Sequence, residues 1–108
     1  MDESARKAHR QQLGQALRLV RLARALTQED FSLVSSRTYL SSLERGIQTP
    51  TLEKLAELAA VLQVHPATVL VLADALESGQ PSEHQVARLL ERIGKECAQL
   101  RHRLPSTS

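Results

Sequence analysis

Aromatic residues are almost absent from this chain of 108 residues, which has one tyrosine, one phenylalanine and no tryptophan. The core must therefore be built from aliphatic side chains, and 42% of all residues are apolar. Because leucine and alanine dominate, and both favour helix over sheet, we expect an all-α fold. A chain of this length has room for one compact domain with an appendage.

Cysteine and long apolar runs are also scarce. The single cysteine, Cys97, excludes an internal disulfide, and the four scattered histidines form no metal-binding spacing with it, so we expect no metal and no cofactor. The longest apolar stretch, within residues 67–73, is far shorter than the ~20 residues that span a bilayer. Together with a polar N-terminus that lacks the hydrophobic region of a secretory signal, this favours a cytoplasmic protein without membrane contact.

Patterns typical of enzymes are absent as well. The sequence has no glycine-rich phosphate loop, no paired carboxylates in a plausible cleft, and no nucleophile with a neighbouring base. We therefore expect a protein that is not an enzyme and has no catalytic residues.

Charge is distributed unevenly along the chain, although the net charge is only +2. Residues 1–46 carry eight basic and five acidic side chains, whereas residues 47–82 carry one basic and four acidic side chains. A basic half beside an acidic middle suggests a side that faces a polyanion. On charge alone, arginines on solvated helix faces are the better explanation, so a motif has to decide.

Capping signals and apolar spacing predict three helices in the first half of the chain. A first helix covers residues 4–25, and a second, which must be short, begins at Gln28 behind a capping-box pattern. Ser36 then caps a third helix, residues 37–44. Gly46 ends this helix, because the left-handed position after a helix favours glycine.

Two further helices are predicted before residue 78, where we expect the first domain to end. Thr51 caps a fourth helix, and Pro66 opens a fifth that runs to residue 77. The fifth helix is apolar nearly all round, so it needs cover from the tail or from a second copy of the chain. The apolar stripe of the fourth helix is Leu52, Leu55, Ala56, Ala59 and Leu62. The candidate dimer residues of the fifth helix are Val69, Leu72 and Leu76.

The remaining residues, 79–108, are predicted to form a linker and one long helix. This helix covers residues 83–103 behind a second capping box at Ser82. Its apolar residues alternate at spacings of four and three, which is a heptad seam. Packing on its own domain and self-association are equally compatible with that pattern. The candidate dimer residues are Val86, Leu90, Ile93, Cys97 and Leu100.

The most specific pattern is the run LTQEDF followed by SSRTYLSSLERGIQTPTLEKLAELAAVLQVHPATVL. A short helix, a tight break and a second short helix form a helix-turn-helix. From about Leu13 to Leu76 the chain resembles the Cro and phage-repressor (lambda-repressor-like, XRE-type) DNA-binding domains. The resemblance implies a five-helix bundle that binds double-stranded DNA. It further implies a transcriptional repressor, bacterial or phage-encoded and nucleoid-associated, that acts as a homodimer on a palindromic operator.

The resemblance also implies roles for individual residues. In such domains the third helix enters the major groove, and flanking side chains hold the phosphate backbone. The residues implied to face base edges are Arg37, Thr38, Ser41 and Ser42. The residues implied to contact phosphate and sugar are Gln28, Tyr39, Arg45 and Gln48, with Ser36 added as the cap within this surface.

A predicted salt bridge agrees with the pattern of this family, whereas the length of the turn departs from it. Glu44 resembles the acid that pairs with an arginine of the first helix, here Arg21, and this pair would fix the third helix. From Gln28 to Arg45 the chain has 18 residues, two fewer than is usual in the family. Glycine is missing from the turn, and Ala25 replaces the glycine that commonly ends the first helix. The second helix must therefore be shorter, or the turn tighter.

A second function from another class is compatible with the same fold. The chain could be a protein-interaction adaptor, or the antitoxin of a toxin pair, with the C-terminal helix as the element that binds a protein partner. A DNA reader should lose affinity steeply with salt, whereas an adaptor should not. Arg37→Ala also distinguishes the two functions, because it should relax the base preference of a DNA reader and leave an adaptor unaffected.

Overall fold

The structure, a computed structural model, describes residues 2–76 and 81–106. Every regular element within these two ranges is helical, which confirms the predicted all-α fold. The predicted end of the fifth helix at residue 77 and the predicted domain boundary at 78 lie outside the described residues. The elements are α1 (Glu3–Ala23), a 3-10 helix (Gln28–Phe31), α2 (Arg37–Glu44), α3 (Leu52–Leu62), α4 (Pro66–Ala75) and α5 (Glu83–Arg101).

Side-chain caps start the helices at the predicted positions. The Tyr39 amide donates to Ser36 Oγ at 3.1 Å, and the Lys54 amide donates to Thr51 Oγ1 at 3.0 Å. At the start of α5 the capping box is reciprocal, because Ser82 and Gln85 each donate a backbone N–H to the other's side chain. These bonds satisfy amides that have no partner inside a helix. The helix starts are therefore encoded locally, whereas α1 and α5 each end two residues before the predicted position.

Left-handed residues terminate three of the helices. The backbone φ is +58° at Ala25 after α1, +74° at Gly46 after α2 and +58° at Gln63 after α3. In each case the following residue donates its N–H to a carbonyl five positions earlier, as Ile47 does to Ser42 at 3.0 Å. This arrangement satisfies the last carbonyls of a helix and reverses the chain. Only one of the three positions carries the glycine that such a conformation favours.

The core lies between α1 and α4, with α2 and α3 packed around it. Most of the predicted apolar stripe of α3 is buried, but Leu52 is 76% exposed and Ala56 is also exposed, so their predicted core positions are wrong. Leu58 takes the inward position instead, since it lies three residues after Leu55 on the same helix face. No single helix among the described residues is long and apolar enough to cross a membrane. Only α3 and α4 together reach that measure, across a bend of 98°.

Helix α4 belongs to the core of the domain. Val69 is fully buried and Leu76 is only 5% exposed, so the predicted role of these two residues in a dimer interface is wrong. Both pack in the aliphatic cluster between α1 and α3, which leaves them no surface for a second copy, and Leu72 is half-buried against the same cluster. The second side of α4 is covered by the start of α5, where Val86 and Leu89 are half-buried.

Candidate nucleic-acid interface

Helix α2 turns its leucines inward and its polar residues outward. Leu40 and Leu43 are buried, as predicted. Arg37 and Thr38 are exposed and Ser41 is half-buried. Residues four positions apart share a helix face, so the outer stripe runs from Arg37 through Ser41 to Arg45, with Thr38 beside it. Three of the four residues predicted to face bases therefore lie on one accessible surface.

The fourth residue, Ser42, does not lie on that surface. Ser42 is 9% exposed, so its prediction as a residue that faces the groove is wrong. The chain folds back at Gly46, and the Ile47 amide donates to the Ser42 carbonyl at 3.0 Å, which covers this side of the last turn.

The other predicted DNA-contact residues occupy the edges of α2. Ser36 is the N-cap, and Tyr39 is half-buried with its ring packed against the core. Arg45 is exposed after the last turn, where its Nε donates to the Ser41 carbonyl at 3.4 Å. Gln48 is exposed in the loop that follows. Arg37 and Arg45 thus place one positive charge at each end of the outer stripe.

A buried ion pair fixes the last turn of α2 to α1, as the sequence predicted. Arg21 Nε and one terminal nitrogen of Arg21 donate to the two carboxylate oxygens of Glu44 at 2.7 and 2.9 Å, and the side chains are 11% and 4% exposed. The hydrogen bonds that Arg21 donates to the Glu44 carboxylate raise the pKa of Arg21 above its ordinary value, against the opposite effect of burial. Because the pairing is two-pronged, it defines an orientation as well as a distance.

Gln28 joins this ion pair, a contact that sequence reasoning missed. Its side-chain nitrogen donates to Glu44 at 3.2 Å, whereas the family resemblance had implied a contact with phosphate. Arg21 also donates to the Leu26 carbonyl at 3.0 Å. Glu44 is therefore the point where α1, the 3-10 helix and α2 meet. Gln28 and Arg37 border one open hollow on the outside of this junction, together with Thr27 and Glu29.

The shortened helix-turn-helix has a simple structural basis. The second helix is a single 3-10 turn of four residues, which confirms that it had to be shorter than usual. The Asp30 carboxylate caps the start of this turn, since the Thr27 amide donates to it at 2.7 Å. The turn that follows needs no glycine, because the positive φ angles of the described chain occur elsewhere, at Ala25, Gly46 and Gln63.

A lysine that the sequence did not single out holds this turn. Lys54 Nζ, from the first turn of α3, donates to the Val34 carbonyl, while Val34 and Ser35 both donate to the Phe31 carbonyl at 2.9 Å. Phe31 is buried in the core. The start of α2 is thereby tied to α3, as its end is tied to α1.

The family assignment follows from this segment. A family model described as helix-turn-helix matches residues 17–69, from the middle of α1 into α4. This segment belongs to the helix-turn-helix family. Its XRE and lambda-repressor-like type is the one that the motif predicted. A segment of this family supports a DNA-binding regulator of transcription whose partner is double-stranded DNA.

No curated protein and no solved structure matches this chain significantly. Among the described residues, no group of three or more histidine, cysteine or acidic side chains could hold a metal ion.

Proposed function

We propose that this protein is a transcriptional repressor that binds a palindromic operator as a homodimer. One observation carries the proposal: the junction at Glu44 holds α2 so that Arg37, Thr38 and Ser41 face outward on one surface. Arg37 and Thr38 are exposed and Ser41 is half-buried, and none of the three side chains makes a hydrogen bond or ion pair among the described contacts. A surface of this kind suits the major groove, which is wide enough to admit one helix.

Each residue of the surface has a proposed partner on the DNA. Arg37, at the first turn of α2, donates two hydrogen bonds to one guanine, and Thr38 and Ser41 contact neighbouring base edges. The phosphates on both sides of the groove set the register of the protein without reading sequence. The residues proposed to contact phosphate and sugar are Gln28, Ser36, Tyr39, Arg45 and Gln48.

Two half-sites follow from the small size of one recognition surface. A single helix of eight residues reaches only a few base pairs. Two copies on one face of the duplex would bind half-sites about 34 Å apart, and a two-fold symmetric dimer requires a palindrome. The exposed seam of α5 is the proposed dimer surface. Repression then needs no further element, because a dimer on an operator that overlaps a promoter blocks access to it.

Selection from a random DNA library, followed by sequencing of the bound fraction, tests this function. The expected result is a palindromic motif with half-sites about 10 base pairs apart. Transcription in vitro from a promoter that carries the motif should then fall as protein is added. Recovery of sequences without a motif would contradict specific DNA recognition, and a rise in transcription would contradict repression alone.

The exposed seam of α5 also favours a second candidate, an adaptor or antitoxin that binds another protein through this helix. Salt dependence separates the two candidates. Specific DNA binding should weaken by orders of magnitude between about 50 and 200 mM salt if several phosphates are neutralised. Complex formation through an apolar helix face should change little over this range.

A further inference from the structure

The outer part of α5 is an amphipathic helix, and no described residue packs on its apolar face. Every residue from Leu90 to Arg101 is exposed, including Leu90 at 52%, Ile93 at 37% and Leu100 at 58%. A helix segment of this length is marginal in water by itself, and most helical stability comes from packing of an apolar face. The regular structure of this segment therefore calls for a partner helix.

The heptad pattern defines which residues flank the seam. Val86, Ile93 and Leu100 occupy one core position of the heptad, and Leu90 and Cys97 occupy the other. On this assignment Glu96 lies on one edge of the seam and Arg101 on the opposite edge, five residues later. Charged residues at such edge positions pair between helices and set their relative direction.

We propose that α5 pairs with α5 of a second copy as a parallel, in-register coiled coil, in which Glu96 of each copy binds Arg101 of the other. This rests on the homodimer of the proposed function and specifies its geometry. In a parallel pair, the edge of one helix that carries Glu96 faces the edge of the other helix that carries Arg101, five residues further along. The two-fold symmetry then gives two Glu96–Arg101 pairs. Each apolar seam residue of the exposed segment, Leu90, Ile93, Cys97 and Leu100, meets its own counterpart.

The antiparallel arrangement is disfavoured by the same charges. The start of α5 packs on α4, so the segment free to pair runs from Leu90 to Leu100. With these exposed segments fully overlapped in an antiparallel pair, Leu90 lies opposite Leu100, and like edges face each other. The two Glu96 carboxylates then meet near the centre of the interface, where like charges repel. Within one chain Glu96 pairs with Arg92 at 3.5 Å, but both side chains are more than half exposed, so this pair is weak enough to rearrange.

Disulfide trapping measures the direction of the helices. Leu90→Cys and Leu100→Cys are made separately in a full-length Cys97→Ser chain, whose dimer is first verified by light scattering, and then oxidised mildly at low concentration. In a parallel pair each variant alone should form a disulfide-linked dimer, since like positions face each other within the Cα spacing of a disulfide. In an antiparallel pair like positions lie about 15 Å apart along the axis, so only the mixture of both variants should link.

A charge substitution gives an independent readout without cysteine. Glu96→Gln should raise the dimer dissociation constant about three- to tenfold, because two interchain pairs are lost. The matched control is Glu91→Gln, which removes the Glu91–Lys95 pair of the same helix at 3.1 Å on the outer face and should change the constant less than about twofold. In an antiparallel dimer Glu96→Gln would instead tighten association.

The parallel direction of the helices and the existence of the homodimer are tested by different results. Links in each single variant, together with a weaker Glu96→Gln dimer, support the parallel pair. Links only in the mixture, or a tighter Glu96→Gln dimer, overturn the parallel pair and leave the homodimer intact. A full-length chain that stays monomeric in light scattering at micromolar concentration overturns both.

Discussion

Gly14 of α1 lies directly against the backbone of Leu43 in α2: a Cβ built on Gly14 would stand 2.2 Å from the Leu43 carbonyl oxygen and 2.8 Å from that of Glu44. Backbone cannot yield as a flexible side chain can. Gly14→Ala should therefore destabilise the fold by about 1–3 kcal/mol, in spite of the better helix propensity of alanine. The midpoint of urea unfolding measures this loss.

Gly94 provides the matched control for Gly14. No described atom lies within 4 Å of a Cβ built at Gly94. Gly94→Ala should therefore keep or raise stability, by at most about 1 kcal/mol from helix propensity. An equal loss in both variants would show that the contact with Leu43 is not the cause.

We expect the ion pair between Arg21 and Glu44 to fix the orientation of α2 against α1 more than to add net stability. Glu44→Gln leaves Arg21 buried without a counter-charge and should destabilise the fold by about 3 kcal/mol, with DNA affinity lost in parallel. The double variant Arg21→Met/Glu44→Leu removes both charges and should recover much of that stability in urea unfolding. If Glu44→Gln stays fully stable and binds DNA normally, the positioning role of Glu44 is wrong.

Ala25 adopts a conformation that suits glycine better. With φ at +58°, the Cβ of Ala25 is crowded by its own backbone. Ala25→Gly should raise stability by about 0.5–1 kcal/mol, because relief of this strain exceeds the added entropy of the unfolded chain. Ala8→Gly, at an exposed position in the interior of α1, should lower stability by a similar amount. Thermal unfolding of the two variants should therefore shift in opposite directions.

The outer and inner faces of α2 should respond differently to alanine. Arg37→Ala should weaken binding to the selected operator by about 1–3 kcal/mol and relax the preference at one base position. Ser42→Ala should leave the base preference unchanged, because Ser42 is buried. Repeating the library selection with both variants provides the measurement. A changed motif with Ser42→Ala would show that α2 meets the groove by another face.

Local signals in the sequence predicted the helix starts and the bounds of α2 well. Ser36, Thr51 and Ser82 act within three residues of themselves, so their effect can be read without the fold. Contacts between residues far apart in the sequence could not be predicted from local patterns. The bonds of Gln28 to Glu44 and of Lys54 to Val34 join residues 16 and 20 positions apart. The burial of Ser42 depends on where the chain returns after Gly46, which helical periodicity does not specify.

Helix α2, the proposed recognition helix, is held at both ends by different neighbours, by Lys54 through the turn before it and by Arg21 through its last residue. The outward residues Arg37, Thr38 and Ser41 take no part in either attachment. Their identities can therefore be exchanged as a set without altering the scaffold that presents them. Duplicated copies of such a protein could acquire new operators through a few surface changes, at little risk to folding, and the same freedom makes α2 a suitable site for engineered DNA specificity.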